Sequence, residues 1–344
     1  MRHLLDIPPA ELIEELTAMG QPAYRARQVL QWVWRRGVYD FAEMTNLPKS
    51  LRTELGERLV VLTGRVADRR DAADGVVKLL VEWPDGQATE TVMIPATRRR
   101  TACLSTQVGC PVGCAFCASG LEGLVRNLSA GEILEQLFHL RSTTASKITH
   151  VVLMGMGEPL LNYDATVAAV RALIDPARGG ISARRVTVST VGLPKQIRRL
   201  AGEDLPITLA ISLHAPNDAL RRQLVPAARG VSIDAILAAA SDFFARRKRE
   251  VTLEYVLLGG VNDTPACADQ LARLTRRVRC NVNLIRFNPV PGVPFVPPRE
   301  SALRSFLERL RRRGLNVHLR ASRGADAEAA CGQLRRRNGK SVTE

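Results

Sequence analysis

From residue 101 onward, short apolar and often β-branched runs alternate with longer stretches in which apolar residues recur at helical spacing. The predicted strands are residues 101–105, 149–154, 185–190, 207–212, 251–258 and 281–286. The predicted helices between them are residues 129–143, 162–175, 193–202, 233–247 and 264–278, and a helix at 299–313 and a strand at 315–320 follow. This alternation predicts an α/β domain of parallel strands joined by right-handed crossovers. Six units form either a partial (β/α)6 barrel or an open doubly wound sheet, and in both the functional residues lie at the carboxyl ends of the strands.

The first hundred residues have a different pattern. Apolar residues at helical spacing in residues 11–19, 24–34 and 49–59 predict a small helical module. Two apolar runs within residues 75–95 flank a Pro-Asp-Gly turn and predict a β-hairpin. The chain therefore divides into a helical domain at 1–60, a β-hairpin linker at 61–98, the α/β domain at 99–334 and a basic tail at 335–344.

Composition bounds the class of protein. Of the 344 residues, 46% are hydrophobic and 24% are charged, as in ordinary globular proteins. No run approaches the ~18 apolar residues of a membrane helix, and the N-terminus lacks the apolar core of a signal peptide, so we expect a cytoplasmic protein without a membrane partner. The net charge of +15 favours a polyanionic partner such as nucleic acid, although arginine placed on solvated faces would produce the same excess.

Four of the seven cysteines lie within fifteen residues, which indicates metal or redox chemistry rather than a disulfide framework. Cys110, Cys114 and Cys117 follow the first predicted strand at C-x3-C-x2-C spacing. Thiolates hold iron–sulfur clusters, and three ligands on a four-iron cluster leave one iron open to chelate S-adenosylmethionine (SAM). This spacing is characteristic of the radical SAM superfamily. A zinc site lacking its fourth ligand and a chance cluster are the alternatives, but no second pair of zinc ligands accompanies the three cysteines.

Polar residues recur at the ends of the later strands. Gly157-Glu158-Pro159 ends the second strand, where a plain strand-to-helix turn is the alternative interpretation. In radical SAM proteins a Gly-Glu-Pro segment contacts the amino group of SAM. The residues that end the third, fourth and sixth strands are Ser189, then Ser212-Leu213-His214, then Asn288. A lone serine or histidine is more often structural, but recurrence at one predicted edge favours a cofactor site.

Six segments make a family resemblance specific. They are residues 20–28 (GQPAYRARQ), 103–110 (CLSTQVGC), 155–162 (GMGEPLLN), 212–215 (SLHA), 288–292 (NPVPG) and 329–334 (AACGQL). From residue 88 to 334, and more loosely from residue 10, the chain resembles the RlmN/Cfr family of radical SAM RNA methyltransferases. The resemblance implies a partial (β/α)6 radical SAM barrel preceded by a small helical RNA-binding domain and a short β linker, with RNA as the substrate.

The resemblance also implies a role for each matching residue. Cys331 would carry the methyl group, Cys103 would be its partner, and Glu90 would be a proton acceptor. The ligands of a [4Fe–4S] cluster would be Cys110, Cys114 and Cys117. The residues that contact SAM would be Gly157, Glu158, Ser189, Ser212, Leu213, His214 and Asn288.

The implied reaction is methylation of adenine C2 in 23S rRNA, with tRNA as a second candidate substrate. The ring carbon is electron-poor, so direct transfer from SAM fails there, whereas a thiolate attacks the methyl group of SAM readily. Cys331 would first become S-methylcysteine. A second SAM would yield a 5′-deoxyadenosyl radical that activates this methyl group for addition to adenine. Cys103 would then release the product as a disulfide forms, and a cellular reductant would reopen that disulfide. We expect a monomer.

Three alternatives stay open. The first is the same chemistry at adenine C8, as in the Cfr branch. The second is a paralogue that binds RNA without modifying it, which the intact Cys103 and Cys331 disfavour. The third is a radical SAM enzyme with a protein or small-molecule substrate, which the basic charge and the N-terminal module disfavour. Departures from the family pattern at residues 118–127, at residues 295–298 and after Asp326 concern the expected RNA pocket rather than the reaction.

Overall fold

The computed structural model describes residues 1–335, so the predicted basic tail lies outside the described residues except for its first residue. Three helices dominate the N-terminal module: α1 (Pro9–Ala18), α2 (Tyr24–Gln31) and α3 (Lys49–Arg58). The short strands β1 (Arg2–His3) and β2 (Leu59–Val60) pair in parallel and join the two ends of the module. The second predicted helix continues beyond α2 as a π-helical turn, Trp32–Arg36, which ends at Gly37 with a φ of 67°.

One ten-stranded sheet runs through the rest of the chain. Its antiparallel part comprises β3 (Arg65–Asp71), β4 (Val77–Glu82), β5 (Ala88–Ala96) and β6 (Arg99–Cys103). A separate hairpin follows, made of β7 (Gln107–Gly109) and β8 (Leu124–Asn127). The strands that continue the main sheet in parallel from β6 are β9 (His150–Leu153), β10 (Val186–Thr190), β11 (Thr208–Ser212), β12 (Val251–Leu257), β13 (Cys280–Arg286) and β14 (Val317–Arg320).

Helices connect the parallel strands. They are α4 (Ala130–Arg141), α5 (Tyr163–Ile174), α6 (Pro194–Gly202), α7 (Asp218–Leu224), α8 (Ile233–Arg247), α9 (Pro265–Thr275) and α10 (Glu300–Arg312). From β6 to β14 the parallel strands are neighbours in chain order. A doubly wound sheet reverses its strand order partway across, so this order confirms the partial barrel. Right-handed crossovers that all run in one direction place the helices on one side of the sheet.

The features of the fold that were not predicted include the β1–β2 pair, β3, the β7–β8 hairpin and α7. Strand β3 is almost entirely exposed and carries several charged side chains, so it has no apolar alternation to detect. The β7–β8 strands are too short to show a period. Helix α7 does have a start signal, because the side chain of Asn217 accepts a hydrogen bond from the backbone N–H of Leu220 at 2.9 Å. Within residues 1–335, no helix is long and apolar enough to cross a membrane.

Glu135 of α4 is fully buried and joins the barrel to the linker and to the N-terminal module. One carboxylate oxygen accepts hydrogen bonds from the backbone N–H of Thr63 at 2.9 Å and from its hydroxyl at 3.0 Å. The other accepts from the backbone N–H of Gly64 at 2.7 Å and lies 3.0 Å from Nε2 of His139. Nε2 of His3 lies 3.4 Å from the carboxylate. Burial alone would raise the pKa of Glu135, but these hydrogen bonds hold the pKa below its usual value.

We predict that Glu135→Gln destabilises the protein by about 1–3 kcal/mol at neutral pH, because an amide NH2 group would face buried backbone donors. A carboxyl whose pKa is lowered by folding stabilises the protein at pH values above its pKa in the unfolded chain, which is near 4.5. That contribution is lost as the pH falls through the pKa of the folded state. Thermal unfolding at pH 7 and pH 4 should therefore show a smaller stability loss on acidification in the variant. Glu14→Gln, at an exposed position of α1, is the control, and equal pH dependence in both variants would contradict the assignment.

Candidate active site at the carboxyl ends of the strands

The three cysteines of the C-x3-C-x2-C motif lie in the loop that joins β7 to β8. All three are half-buried and none forms a disulfide. Gly109 enters this loop with a φ of 77°, and a Cβ atom there would lie 2.0 Å from the carbonyl oxygen of Gly123. The backbone N–H of Cys110 donates to that same oxygen at 3.0 Å. The loop can therefore close around its cysteines only with glycine at position 109.

An apolar layer surrounds the cysteine loop. The three cysteines pack against a buried cluster that includes Val112, Phe116, Val191, Leu224, Val225 and Phe287. Burial raises the pKa of Cys110 to about 12 and raises the pKa values of Cys114 and Cys117 as well. The free loop consequently holds neutral thiols, which can be buried at low cost. A coordinating metal displaces the thiol proton outright. The three cysteines are therefore suitable metal ligands, and the loop can bury them as neutral thiols without a cation beside them.

The chemistry of the donors in the cysteine loop fits an iron–sulfur cluster. The donor set is sulfur only, which is the set that iron–sulfur clusters use.

Glu158 lies between the cysteine loop and β10. Its carboxylate accepts hydrogen bonds from the backbone N–H groups of Leu160 at 2.9 Å and Val191 at 2.6 Å. Its own N–H donates to the side chain of Gln107 at 2.8 Å. The preceding Gly157 has a φ of 101°, and a Cβ atom there would lie 2.7 Å from Gln107. Burial raises the pKa of Glu158 to about 7, so a neighbouring ammonium group would favour its ionised form.

His214 follows β11 in a left-handed conformation, with a φ of 59°. Its Nδ1 accepts a hydrogen bond from the backbone N–H of Val256 at 3.1 Å, and its ring lies edge-on to Phe116 with the centroids 4.9 Å apart. Burial lowers the pKa of His214 to about 3. The imidazole is therefore neutral, and because Nδ1 accepts, its proton is on Nε2. Nε2–H is then the donor that this residue can offer to a ligand.

The remaining residues predicted to contact SAM occupy neighbouring strand ends. Ser189 lies in β10 and Ser212 is the last residue of the adjacent β11. Leu213 is buried and donates its N–H to Glu254 of β12 at 3.0 Å. Asn288 follows β13, and its side-chain amide donates to the carbonyl of Cys331 at 3.1 Å. The structure therefore brings the predicted residues to one edge of the sheet.

The C-terminal segment that carries Cys331 folds back onto the cysteine loop. The backbone N–H of Ala118 donates to Gly332 at 2.8 Å, and the hydroxyl of Ser119 donates to Leu334. These contacts come directly after Cys117, so the segment from 329 to 335 lies beside the proposed cluster ligands. Cys331 itself is exposed.

Glu90 and Lys78 fix the same segment from the hairpin side. Their side chains form a buried ion pair with Nζ and Oε1 2.9 Å apart. The second carboxylate oxygen of Glu90 accepts from the backbone N–H of Arg335 at 3.0 Å, and Lys78 donates to the carbonyl of Glu328 at 2.9 Å. The ion pair therefore binds both ends of the Cys331 segment.

Cys103 ends β6 and is buried. Burial raises its pKa to about 12, the nearby Cys331 contributes to the rise, and the guanidinium of Arg320 opposes it. Burial also raises the pKa of Cys331, and the guanidinium of Arg320 again opposes the rise. Arg320 ends β14 and lies 3.7 Å from a carboxylate oxygen of Glu254. Sequence patterns did not single out Arg320, since an arginine ending a strand carries no signal of its own.

This fold and this site define a radical SAM enzyme, and comparison with known proteins agrees. The profile of the radical SAM superfamily matches residues 104–268, and that of the ribosomal RNA large subunit methyltransferase N-terminal domain matches residues 2–61. A radical SAM methyltransferase from Sphaerobacter thermophilus has a solved structure that is 46% identical, with a TM-score of 0.94, over 97% of this chain and 99% of that one.

Curated relatives align along the whole chain. A probable dual-specificity RNA methyltransferase RlmN from Thermosynechococcus vestitus is 45% identical over 96% of this chain and 98% of its own length. The protein of the same description from Thermotoga sp. strain RQ2 is 44% identical over the full length of both. The chain belongs to the RlmN family of radical SAM methyltransferases. Its cofactors are a [4Fe–4S] cluster and SAM, with two SAM molecules used per turnover, which confirms the resemblance and the cofactor prediction.

We predict that Gly109→Ala prevents assembly of the cluster, because the new methyl group would collide with the Gly123 carbonyl. Gly86→Ala is the matched control, since Gly86 has a φ of 75° and a Cβ atom added there would have no other atom within 4 Å. After anaerobic reconstitution, iron should fall from about four atoms per chain to below about one in the first variant only. Equal iron in both variants would show that the close approach to Gly123 is not required.

Proposed function

We propose that this protein methylates C2 of adenine in RNA, with 23S rRNA and tRNA as substrates, through a methyl group carried on Cys331. The relatives described above are named as dual-specificity RNA methyltransferases. The observation that carries the proposal is the proximity of two further cysteines, Cys103 and Cys331, to each other and to the cysteine loop. These two cysteines are not needed for a cluster, and a pair of thiols suits covalent transfer followed by release.

When bound at Cys110, Cys114 and Cys117, the cluster supplies the electron that cleaves SAM to a 5′-deoxyadenosyl radical. The protein's own residues orient SAM. Glu158 offers a buried carboxylate to the amino group, and its pKa near 7 means that binding an ammonium ion stabilises the charged form. Neutral His214 offers Nε2–H as a donor. The other contacts we assign to SAM are Gly157, Ser189, Ser212, Leu213 and Asn288.

Cys331 is exposed, so both SAM and a base can approach its sulfur. Burial raises the pKa of Cys331 and the guanidinium of Arg320 opposes that rise, so Arg320 is the cation that would stabilise the thiolate when it attacks the methyl group of SAM. The S–CH3 bond forms on Cys331 as the bond between the methyl group and the SAM sulfonium breaks. The 5′-deoxyadenosyl radical takes a hydrogen atom from this methyl group, and the carbon then forms a bond to C2 of adenine, which leaves the unpaired electron on the ring. The ring would lose that electron to the oxidised cluster and the C2 proton to a base, and a closed-shell thioether would remain.

Cys103 releases the product. As a thiolate it attacks the sulfur of Cys331, so an S–S bond forms and the bond from that sulfur to the methylene carbon breaks. The electron pair remains with the carbon, which takes up a proton, and an external two-electron reductant restores both thiols. We keep Glu90 as the candidate proton acceptor. Its hydrogen bond to Arg335 and ion pair with Lys78 support a second role in positioning the Cys331 segment.

Residues 1–60 are the proposed RNA-binding domain. Tyr24, Arg27 and Arg36 lie exposed along α2 and the turn that follows it, and together with the net charge of +15 they suit contacts to phosphates and bases. The module packs on α4, where Asp6 accepts from the backbone N–H of Gly131 at 2.6 Å and Nε2 of His3 lies 3.4 Å from Glu135.

The direct test is anaerobic reconstitution with deuterated-methyl SAM and 23S rRNA or tRNA, followed by mass spectrometry of the nucleosides. We expect labelled 2-methyladenosine. Labelled 8-methyladenosine would replace our proposal with the C8 reaction, and unlabelled RNA together with intact SAM cleavage would indicate a different substrate.

The two added cysteines should give different phenotypes. Cys331→Ala has no methyl carrier, so it should form neither methylated adenine nor a protein–RNA bond. Cys103→Ala keeps the carrier but cannot break the thioether, so RNA should accumulate on Cys331, seen as a denaturation-resistant gel shift that nuclease removes. Normal turnover by Cys103→Ala, or identical behaviour of the two variants, would refute the two-cysteine mechanism. Cys267→Ala, at a buried position of α9, is the control.

RNA affinity should depend on charge in the N-terminal module. Replacing Arg27 and Arg36 by Gln should reduce the slope of log affinity against log salt by about 1–2, since each lost phosphate contact removes ~0.7–0.9. Replacing Arg304 and Arg312 of α10 by Gln, where the side chains are 73% and 83% exposed, is a matched loss of two charges that should leave the slope unchanged. Binding isotherms at four salt concentrations give the slope for the wild type and for each variant. Equal slopes in all three proteins would argue against RNA contacts at this module.

A further inference from the structure

Arg221 is a buried cation without a full set of partners. It lies in α7 with a relative exposure of 1%. One guanidinium nitrogen, Nη2, donates to the carbonyl of Val191. Among residues 1–335, neither Nε nor Nη1 has a hydrogen-bond partner, and both atoms are buried. A buried donor without an acceptor is destabilising, so this position is unfavourable unless something else accepts from it.

Helix α7 is held directly against the cysteine loop. The carbonyl of Leu224, one turn after Arg221, accepts from the backbone N–H of Ala115 at 3.0 Å. The backbone N–H of Ala227 donates to the carbonyl of Val112 at 3.3 Å. These two bonds flank Cys114 in sequence, so the helix that carries Arg221 is fixed on the part of the loop where Cys114 lies.

The surroundings offer little compensation for the charge. Asp218 is one turn before Arg221 in α7, but its carboxylate already accepts from the backbone N–H of Ile233 at 2.7 Å. The other neighbours of the loop are the apolar layer described above, His214, which is neutral, and Glu158, whose carboxylate already accepts from the backbone N–H groups of Leu160 and Val191. Burial lowers the pKa of Arg221, yet an arginine remains charged in proteins. Burial likewise raises the pKa of Cys114, and Arg221 is the cation that opposes this rise.

We propose that Arg221 donates hydrogen bonds from Nε and Nη1 to sulfur atoms of the iron–sulfur cluster at Cys114 and raises the reduction potential of that cluster. The inference rests on the assignment of Cys110, Cys114 and Cys117 as cluster ligands. Iron–sulfur clusters on thiolates carry net negative charge, and hydrogen bonds to their sulfurs tune their potential. One-electron reduction by an external donor adds a further negative charge, so a buried cation stabilises the reduced form more than the oxidised form.

The first measurement is the midpoint potential of the cluster in the absence of SAM. It is obtained from a dithionite titration with mediators, in which electron paramagnetic resonance monitors the reduced cluster. Arg221→Met should lower the potential, so that the ratio of reduced to oxidised cluster at the wild-type midpoint falls about tenfold, which is about 59 mV for one electron. Arg221→Lys keeps the charge and should shift the ratio less. Arg222→Met removes an exposed charge from the same helix and should leave the potential unchanged. Iron content is measured in every sample.

The second measurement covers variants that load poorly. In cluster-free protein, Arg221→Met should unfold at the same temperature as wild type or higher, because an uncompensated buried charge is removed. Cluster loading should then raise the unfolding temperature less in Arg221→Met than in wild type. An unchanged potential with weakened SAM binding would assign Arg221 to the SAM carboxylate and overturn the proposal, as would an equal gain on loading in both proteins. Wild-type protein that binds no cluster would instead refute the ligand assignment itself.

Discussion

Charge cannot be buried in a protein interior without a partner, and the active-site end of this barrel is arranged around that limit. The cysteine loop lies against an apolar layer, where burial raises the thiol pKa values. Neutral thiols are tolerated there, whereas three thiolates are tolerated only when iron neutralises them. The left-handed backbone at Gly109 and the contact with Gly123 close the loop tightly enough to hold the three sulfurs in this environment.

The same limit explains why the buried charged groups of the barrel differ in how their charge is compensated. Glu135 receives hydrogen bonds from the linker and from α4, so its charge is compensated by the protein and it serves to join two parts of the fold. Glu158 has fewer donors, and its pKa rises to about 7. Arg221 has two donors without acceptors in the described chain. Glu158 and Arg221 both border the cysteine loop, where compensation can come from a bound cofactor.

Cys103 and Cys331 are more than two hundred residues apart in sequence, and their proximity depends on how the last part of the chain returns to the first strands. Strand β14 extends the parallel sheet, and the segment after it turns back over the barrel mouth. Contacts with the cysteine loop, with Asn288 and with the Lys78–Glu90 ion pair then hold the exposed sulfur of Cys331 in place. The sulfur of Cys331 is thus accessible while its backbone is fixed on three sides, which suits the methyl-carrying role that we propose for it.

The sequence alone determined the alternation of strands and helices, because apolar periodicity records which face of each element is buried, and the parallel strands and most helices lie within a few residues of their predicted positions. It also determined the cysteine motif and the polar residues at the strand ends, since local spacing is enough to show them. Only the tertiary structure decided that the strands follow chain order in one sheet, that Lys78 pairs with Glu90 across adjacent strands, and that Arg221 is buried beside the cysteine loop with two donors left over. Those facts depend on contacts between residues far apart in sequence, and no local pattern encodes which distant group will supply or withhold a partner for a buried charge.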